Sequence, residues 1–179
     1  MLRYALAFGA PAGIAVIAVM SAFFHLFEPA DMKGAEVFGF ATMIAILALI
    51  FVGVKRYRDQ ELGGVGGFPR LFAAGAAMAG VAGLFYALGW EIYQQATDFA
   101  FTDIYAEALR ADIAAKDLAP ADAARELAEI ESYLEMQRNP LVRFAISLLE
   151  IVPVALLVAL VSALILKNPA RLPGDKVAA

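Results

Sequence analysis

Glu150 is the residue with the most chemistry to offer. It stands about ten residues into an otherwise apolar run, Leu141 to Leu166, roughly 14 Å deep at 1.5 Å of helical rise per residue. A carboxylate in hydrocarbon costs about 2.5–3.5 kcal/mol on insertion scales, so one placed there calls for a reason. Pro153 follows three positions later and frees the carbonyl of Leu149, so a helix kink and an acid coincide. Arg143 lies seven residues before Glu150, on the same helical face but two turns away, too far for an easy direct pair. Glu91, between Trp90 and Tyr93, closes another apolar run, and His25 closes a third. His25, Glu91, Arg143 and Glu150 together make a candidate polar cluster. Two uses are open to it: ion-pair glue between helices, the favoured one, or a path for protons or cations. Glu91 also fits a wet carboxylate in an aromatic belt, and His25 an interfacial histidine.

Catalytic patterns are missing. There is no cysteine, which removes thiol catalysis and thiolate metal sites, and a single histidine excludes sites built from several imidazoles. No Ser/His dyad or paired-histidine motif occurs. The run Gly63 to Gly67 lacks the Lys-Ser/Thr ending of a phosphate loop and reads as a hinge. The expectation is no enzyme, no metal and no cofactor. A basic stripe of the kind that binds nucleic acid is also lacking.

The elements that must hold these residues are transmembrane helices. Of 179 residues, 62% are hydrophobic and 18% charged, against roughly 45–50% and 25% in soluble domains. The apolar residues are clumped, and about 20 of them in a helix cross a bilayer core. Four stretches qualify: Tyr4 to Phe27, Glu36 to Val54, Arg70 to about Tyr93, and Leu141 to Leu166. The first is too long for a signal-peptide core and ends in Phe23-Phe24-His25-Leu26-Phe27, which reads as an uncleaved helix. An all-α membrane protein follows, organised as residues 1–98 (three transmembrane helices), 99–139 (an acidic helical hairpin outside the membrane) and 140–179 (the fourth transmembrane helix and a tail).

The connections differ in kind. Glu28 to Ala35, with Pro29 and Gly34, makes a tight turn, and Lys55 to Pro69 a flexible basic loop. The connection from about Gln94 to Pro140 reads as two helices. One runs from Thr102 to about Lys116, with Ile104, Ala108, Leu109 and Ile113 on its apolar stripe. The other starts at Pro120, with Leu127, Ile130 and Leu134 on one face and Tyr133 alongside. From Asp98 to Arg143 there are ten acidic and five basic residues, a surface that belongs in water and away from anionic lipid. The tail from Lys167 to Ala179, with Pro169, Pro173 and Gly174, reads as disordered.

Orientation follows from the cations near the membrane ends. Arg3, Lys55, Arg56, Arg58, Arg70, Lys167 and Arg171 fall on one side, and Lys33, Arg138 and Arg143 on the other. The positive-inside rule puts the first set and both termini in the cytoplasm. Small residues mark packing faces: Gly9 and Gly13, and Ala76, Gly80 and Gly83. Packing within one chain is their favoured use, a homodimer seam the alternative.

Three stretches in this order resemble a bacterial membrane family catalogued as domain of unknown function 4199. They are Lys55-Arg56-Tyr57-Arg58-Asp59-Gln60-Glu61-Leu62-Gly63-Gly64, then Trp90-Glu91-Ile92-Tyr93, then Asn139-Pro140-Leu141-Val142-Arg143-Phe144 running into Glu150-Ile151-Val152-Pro153 and Leu160-Val161-Ser162-Ala163-Leu164-Ile165. The resemblance covers nearly the whole chain, implies a small helical membrane protein, and implies no activity; the spans and their flanking charges point to the bacterial inner membrane. Two functions stay open. One is a structural or interaction protein whose acidic hairpin meets a membrane or periplasmic partner. The other is a small proton- or cation-coupled carrier or conduit using Glu150.

Overall fold

The computed structural model describes residues 1–26, 35–116, 118–170 and 172. Every regular element among them is helical. The four long helices are α1 (Leu2–Leu26), α2 (Ala35–Glu61), α3 (Phe68–Ala96) and, last in the chain, α6 (Pro140–Leu166); each is long and apolar enough to cross a membrane. Between α3 and α6 lie two shorter helices, α4 (Ala100–Ala115) and α5 (Pro120–Gln137), packed against each other. The long helices alternate in direction, so the bundle has an end beside the α4–α5 pair and an opposite end that gathers Leu2, Glu61, Phe68 and Leu166.

Local chemistry sets the helix boundaries. Pro69, Pro120 and Pro140 each sit in a first turn, where the missing N–H is no loss. Asn139 caps α6 by accepting the Leu141 N–H at 2.9 Å. In α1 the segment Ala5–Gly9 is wound as a π-turn just before Pro11, whose ring would clash with the Ala7 carbonyl in a regular helix. The α3–α4 corner turns through Asp98 and Phe99, both left-handed at φ 47° and 61°.

Small residues set how closely the helices approach, with Met43, Leu47, Ile50, Leu71, Met78 and Ile151 filling the core between them. Gly9 and Gly13 bring α1 onto the backbone of α3 so closely that a Cβ on either would lie 2.4 Å from the Met78 carbonyl oxygen or 2.2 Å from that of Ala82. This glycine face is therefore used within the chain. Gly75 likewise brings α3 close to the backbone of α6 at Ala159, and Gly83 lets the side chain of Val152 close in. Gly80 faces open space, so the α3 seam runs through Gly75, Ala79 and Gly83 in place of Ala76, Gly80 and Gly83. Other large apolar side chains point outward, among them Val37 at 73% exposed, Ile92 at 69% and Leu149 at 73%. Small residues at the helix contacts and bare leucine, isoleucine and valine outside suit a lipid environment, since water does not tolerate apolar faces this extensive.

Several sequence expectations change. Helix α2 does not end at Val54 but runs on to Glu61, so Lys55, Arg56 and Arg58 are helical and the connection shrinks to six residues, 62–67. Arg58 is no loop cation: it is fully buried. Helix α3 runs past Tyr93 to Ala96, which takes Gln94 out of the connection. Helix α5 buries no residue fully, and Leu127 is exposed, so its inner face is Ile130, Tyr133 and Leu134 without Leu127. The tight turn at 28–34, with Lys33, and most of the tail, with Arg171, lie outside the described residues.

Candidate functional site

At the α4–α5 end, the residues singled out from sequence separate into two pairs and a bystander. Arg143, in the first turn of α6, donates from Nε to Glu91 Oε1 at 2.8 Å and from Nη2 to Glu91 Oε2 at 2.7 Å. The two planar groups meet fork to fork, the strongest geometry open to such a pair. Their side chains are only 7% and 13% exposed, so Glu91 is a paired carboxylate and not the wet one an aromatic belt would hold. Arg143 also donates from Nη1 to the Gln137 carbonyl at 2.7 Å, and its guanidinium lies 4.9 Å from the centre of the Phe99 ring. One side chain thus ties α3, the left-handed corner, the end of α5 and α6 together.

Glu150 has a different partner. Tyr86 Oη, on α3, donates to its Oε2 at 3.1 Å. Glu150 is exposed as far as protein contacts go, and Pro153 lies within a continuous α6. His25, at the end of α1, is exposed, and no described contact joins it to the other three. Nothing links the Arg143–Glu91 pair to Glu150 among the described residues, so the four do not form one cluster.

Instead Glu150 stands at the rim of a cavity of about 370 Å³ to which all six helices contribute. Its walls are aromatic. Trp90 is at 6.1 Å and 5.1 Å, centre to centre, from Phe24 and Phe101, which are themselves 4.4 Å apart. Tyr86, Trp90 and Gln94 recur every four residues along α3 and so present one face to this space. Gln94 is 1% exposed; its Nε2 donates to Thr102 Oγ1 at 2.7 Å, while its Oε1 is buried with no hydrogen-bond partner among the described residues. Tyr86, Gln94 and Thr102 had escaped the sequence reading. The four-residue spacing of Tyr86, Trp90 and Gln94, in a helix otherwise rich in Ala and Gly, was the signal that could have found them.

The opposite end carries a second arginine centre. Arg58 donates to Asp59 Oδ1 at 2.7 Å and to the carbonyls of Leu166 and Leu172 at 3.4 Å and 2.6 Å. Lys55 reaches the other oxygen of Asp59 at 2.7 Å. Beside them Tyr4 donates to Gln60 Oε1 at 2.8 Å, and Arg3 pairs with Glu61. Tyr57 packs edge-on against Tyr4, with ring centres 5.5 Å apart.

Residues 7–168 match the model of a family described as Protein of unknown function (DUF4199). No curated protein and no solved structure matches the chain.

Proposed function

The chain belongs to the DUF4199 family, and we propose that it is a non-catalytic, four-span protein of the bacterial inner membrane that holds α4 and α5 outside the bilayer as a contact for a membrane or periplasmic partner. The observation that carries this reading is Arg143. A bidentate ion pair, a carbonyl and an aromatic ring are all spent on fixing the root of two helices whose own surfaces are charged and poorly buried. Such an investment suits a platform meant to be met by something else. Glu107, Glu129, Glu131 and Glu135 stand exposed on it. Arg3, Lys55, Arg56, Arg70 and Lys167 gather at the opposite end, while Arg138 stands by the platform. This asymmetry supports cytoplasmic termini even after the buried Arg58 and Arg143 are set aside.

The absence of cysteine makes sidedness easy to test. In intact cells a membrane-impermeant thiol reagent labels a Glu131→Cys variant and spares Arg56→Cys; the reverse pattern overturns the orientation. Purified in mild detergent, the chain retains a partner protein that is lost when Glu107, Glu129, Glu131 and Glu135 become Gln. An empty capture together with a monomeric native mass defeats the docking reading and the alternative of a homodimer.

One observation favours the second reading, a proton- or cation-coupled carrier: Glu150 borders a cavity instead of being buried in an ion pair. Glu150→Gln separates the two. It abolishes coupled uptake into vesicles if the protein is a carrier, and leaves partner capture intact if it is a platform.

A further inference from the structure

The cavity at the α4–α5 end has a chemistry of its own. Its volume of about 370 Å³ falls in the range of roughly 300–1,000 Å³ that holds small organic ligands. Among the described residues that line it there is no Lys, Arg or His. Arg143, at the same end of the bundle, is already taken up by Glu91, the Gln137 carbonyl and the Phe99 ring. Among the described residues, the walls thus offer an anion no charged partner. What the walls offer is one carboxylate, Glu150, one orphaned amide oxygen, Gln94 Oε1, and the faces and edges of aromatic rings around Trp90.

Each of these features asks for the same complement. A buried acceptor without a donor costs free energy until a donor arrives. Aromatic faces attract organic cations through the ring quadrupole, Trp most of all. Glu150, whose partner among the described residues is the Tyr86 phenol, supplies a counter-charge. The geometry points to a binding site for an organic ammonium ion: a protonated primary amine on an aromatic or apolar body, its charge toward Glu150 and its body against Trp90. A hydrogen-bond donor at the far end of the body reaches Gln94. Tyr86 and Gln94 are eight residues apart on α3, about 12 Å along the axis, so the ligand is elongated. The amine can come from a free solute or from the ethanolamine headgroup of a lipid, since both carry the same ammonium group. The assignment goes beyond the platform reading and does not need it, because binding by the purified protein requires neither partner nor transport.

Trp90 is the only tryptophan in the chain, and it lines the site, so its fluorescence reports occupancy directly. The full chain in nanodiscs of phosphatidylglycerol is titrated with phenethylamine, tyramine, phenethyl alcohol and hydrocinnamate. The expected result is a saturable Trp90 response to phenethylamine at concentrations at least about tenfold below those needed for the alcohol or the acid. Tyramine, which adds a donor at the far end, binds about fivefold tighter still. Glu150→Gln erases the preference for amine over alcohol, and Gln94→Leu erases only the tyramine advantage. If adding phosphatidylethanolamine to the nanodiscs displaces phenethylamine, the ligand is a lipid headgroup; if it does not, the ligand is a free amine. A wild-type protein that binds the alcohol or the acid as well as the amine, or gives no saturable response, overturns the assignment without recourse to any variant.

Discussion

Each end of the four-helix bundle is organised by an arginine, and the two ends are built in opposite ways. Arg58 is buried where α2 finishes, and its donors run to a carboxylate and to backbone carbonyls at and beyond the end of α6. The Leu166 carbonyl is among the groups a helix C-terminus leaves without an internal partner, so the cation both pairs with Asp59 and helps close α6. Gly75 and Ala159 pack tightly on that side. Arg143, at the other end, also makes a buried carboxylate pair, yet it holds a corner and a helix pair that pack loosely, beside an aromatic cavity. A second open space of about 530 Å³ lies between α4 and α5 themselves. The contrast teaches that one buried arginine pair closes a helix end, while the other roots a loosely packed helix pair beside a cavity.

Arg58→Ala is expected to have the largest effect, lowering the stability of the whole bundle by about 3–5 kcal/mol, since it strands buried acceptors. Unfolding in denaturing detergent, followed by circular dichroism, measures it. Arg58→Lys gives little rescue, because one ammonium cannot reproduce a fork that spans two helices. Arg143→Ala ranks second. Here about 2–3 kcal/mol is lost, and the loss is local: amide hydrogen exchange speeds up in α4 and α5 while α2 and the inner turns of α6 keep their protection. Removing Glu91 as well restores part of the loss, because an unpaired buried carboxylate costs more than the missing pair. Equal, global destabilisation by both arginine variants would break the contrast between the ends.

How much of this was readable in advance depended on whether the signal was local. The four long helices announce themselves, because each satisfies its own backbone and its apolar length alone sets its fate. Pro120 marked a helix start for the same reason. The special importance of Arg143, Glu91 and Glu150 was also legible, since charges next to hydrocarbon are costly wherever they point. Their pairing was not. Arg143 meets Glu91 across 52 residues of chain, and Tyr86 meets Glu150 across 64, so only packing decides who faces whom. Lys55 to Glu61 was misread for a related reason: charged residues look like a loop, yet here Lys55, Arg58 and Asp59 neutralise one another on one helix face and let α2 continue. Gln94 was hidden because a lone amide at a helix end carries no pattern until its neighbours are in place.

The smallest effect gives the sharpest comparison, because the same methyl group is added at both ends. A Cβ at Gly75 would lie 2.7 Å from the Ala159 Cβ and 3.2 Å from its Cα, so a backbone must move. Overpacking of that kind costs about 1–3 kcal/mol. A Cβ at Gly89, toward the α4–α5 end, meets only the side chain of Ile17, at 2.9 Å and beyond. There α1 can yield, since that end is not tightly filled, and Ala in place of Gly favours the helix by up to about 1 kcal/mol. The two terms nearly cancel, so Gly89→Ala leaves the unfolding midpoint almost unchanged while Gly75→Ala lowers it. Were Gly89→Ala to cost as much as Gly75→Ala, the α4–α5 end would be as rigid as the other. Its cavity would then be a fixed void in a stiff frame, not a space the helices can close around a ligand.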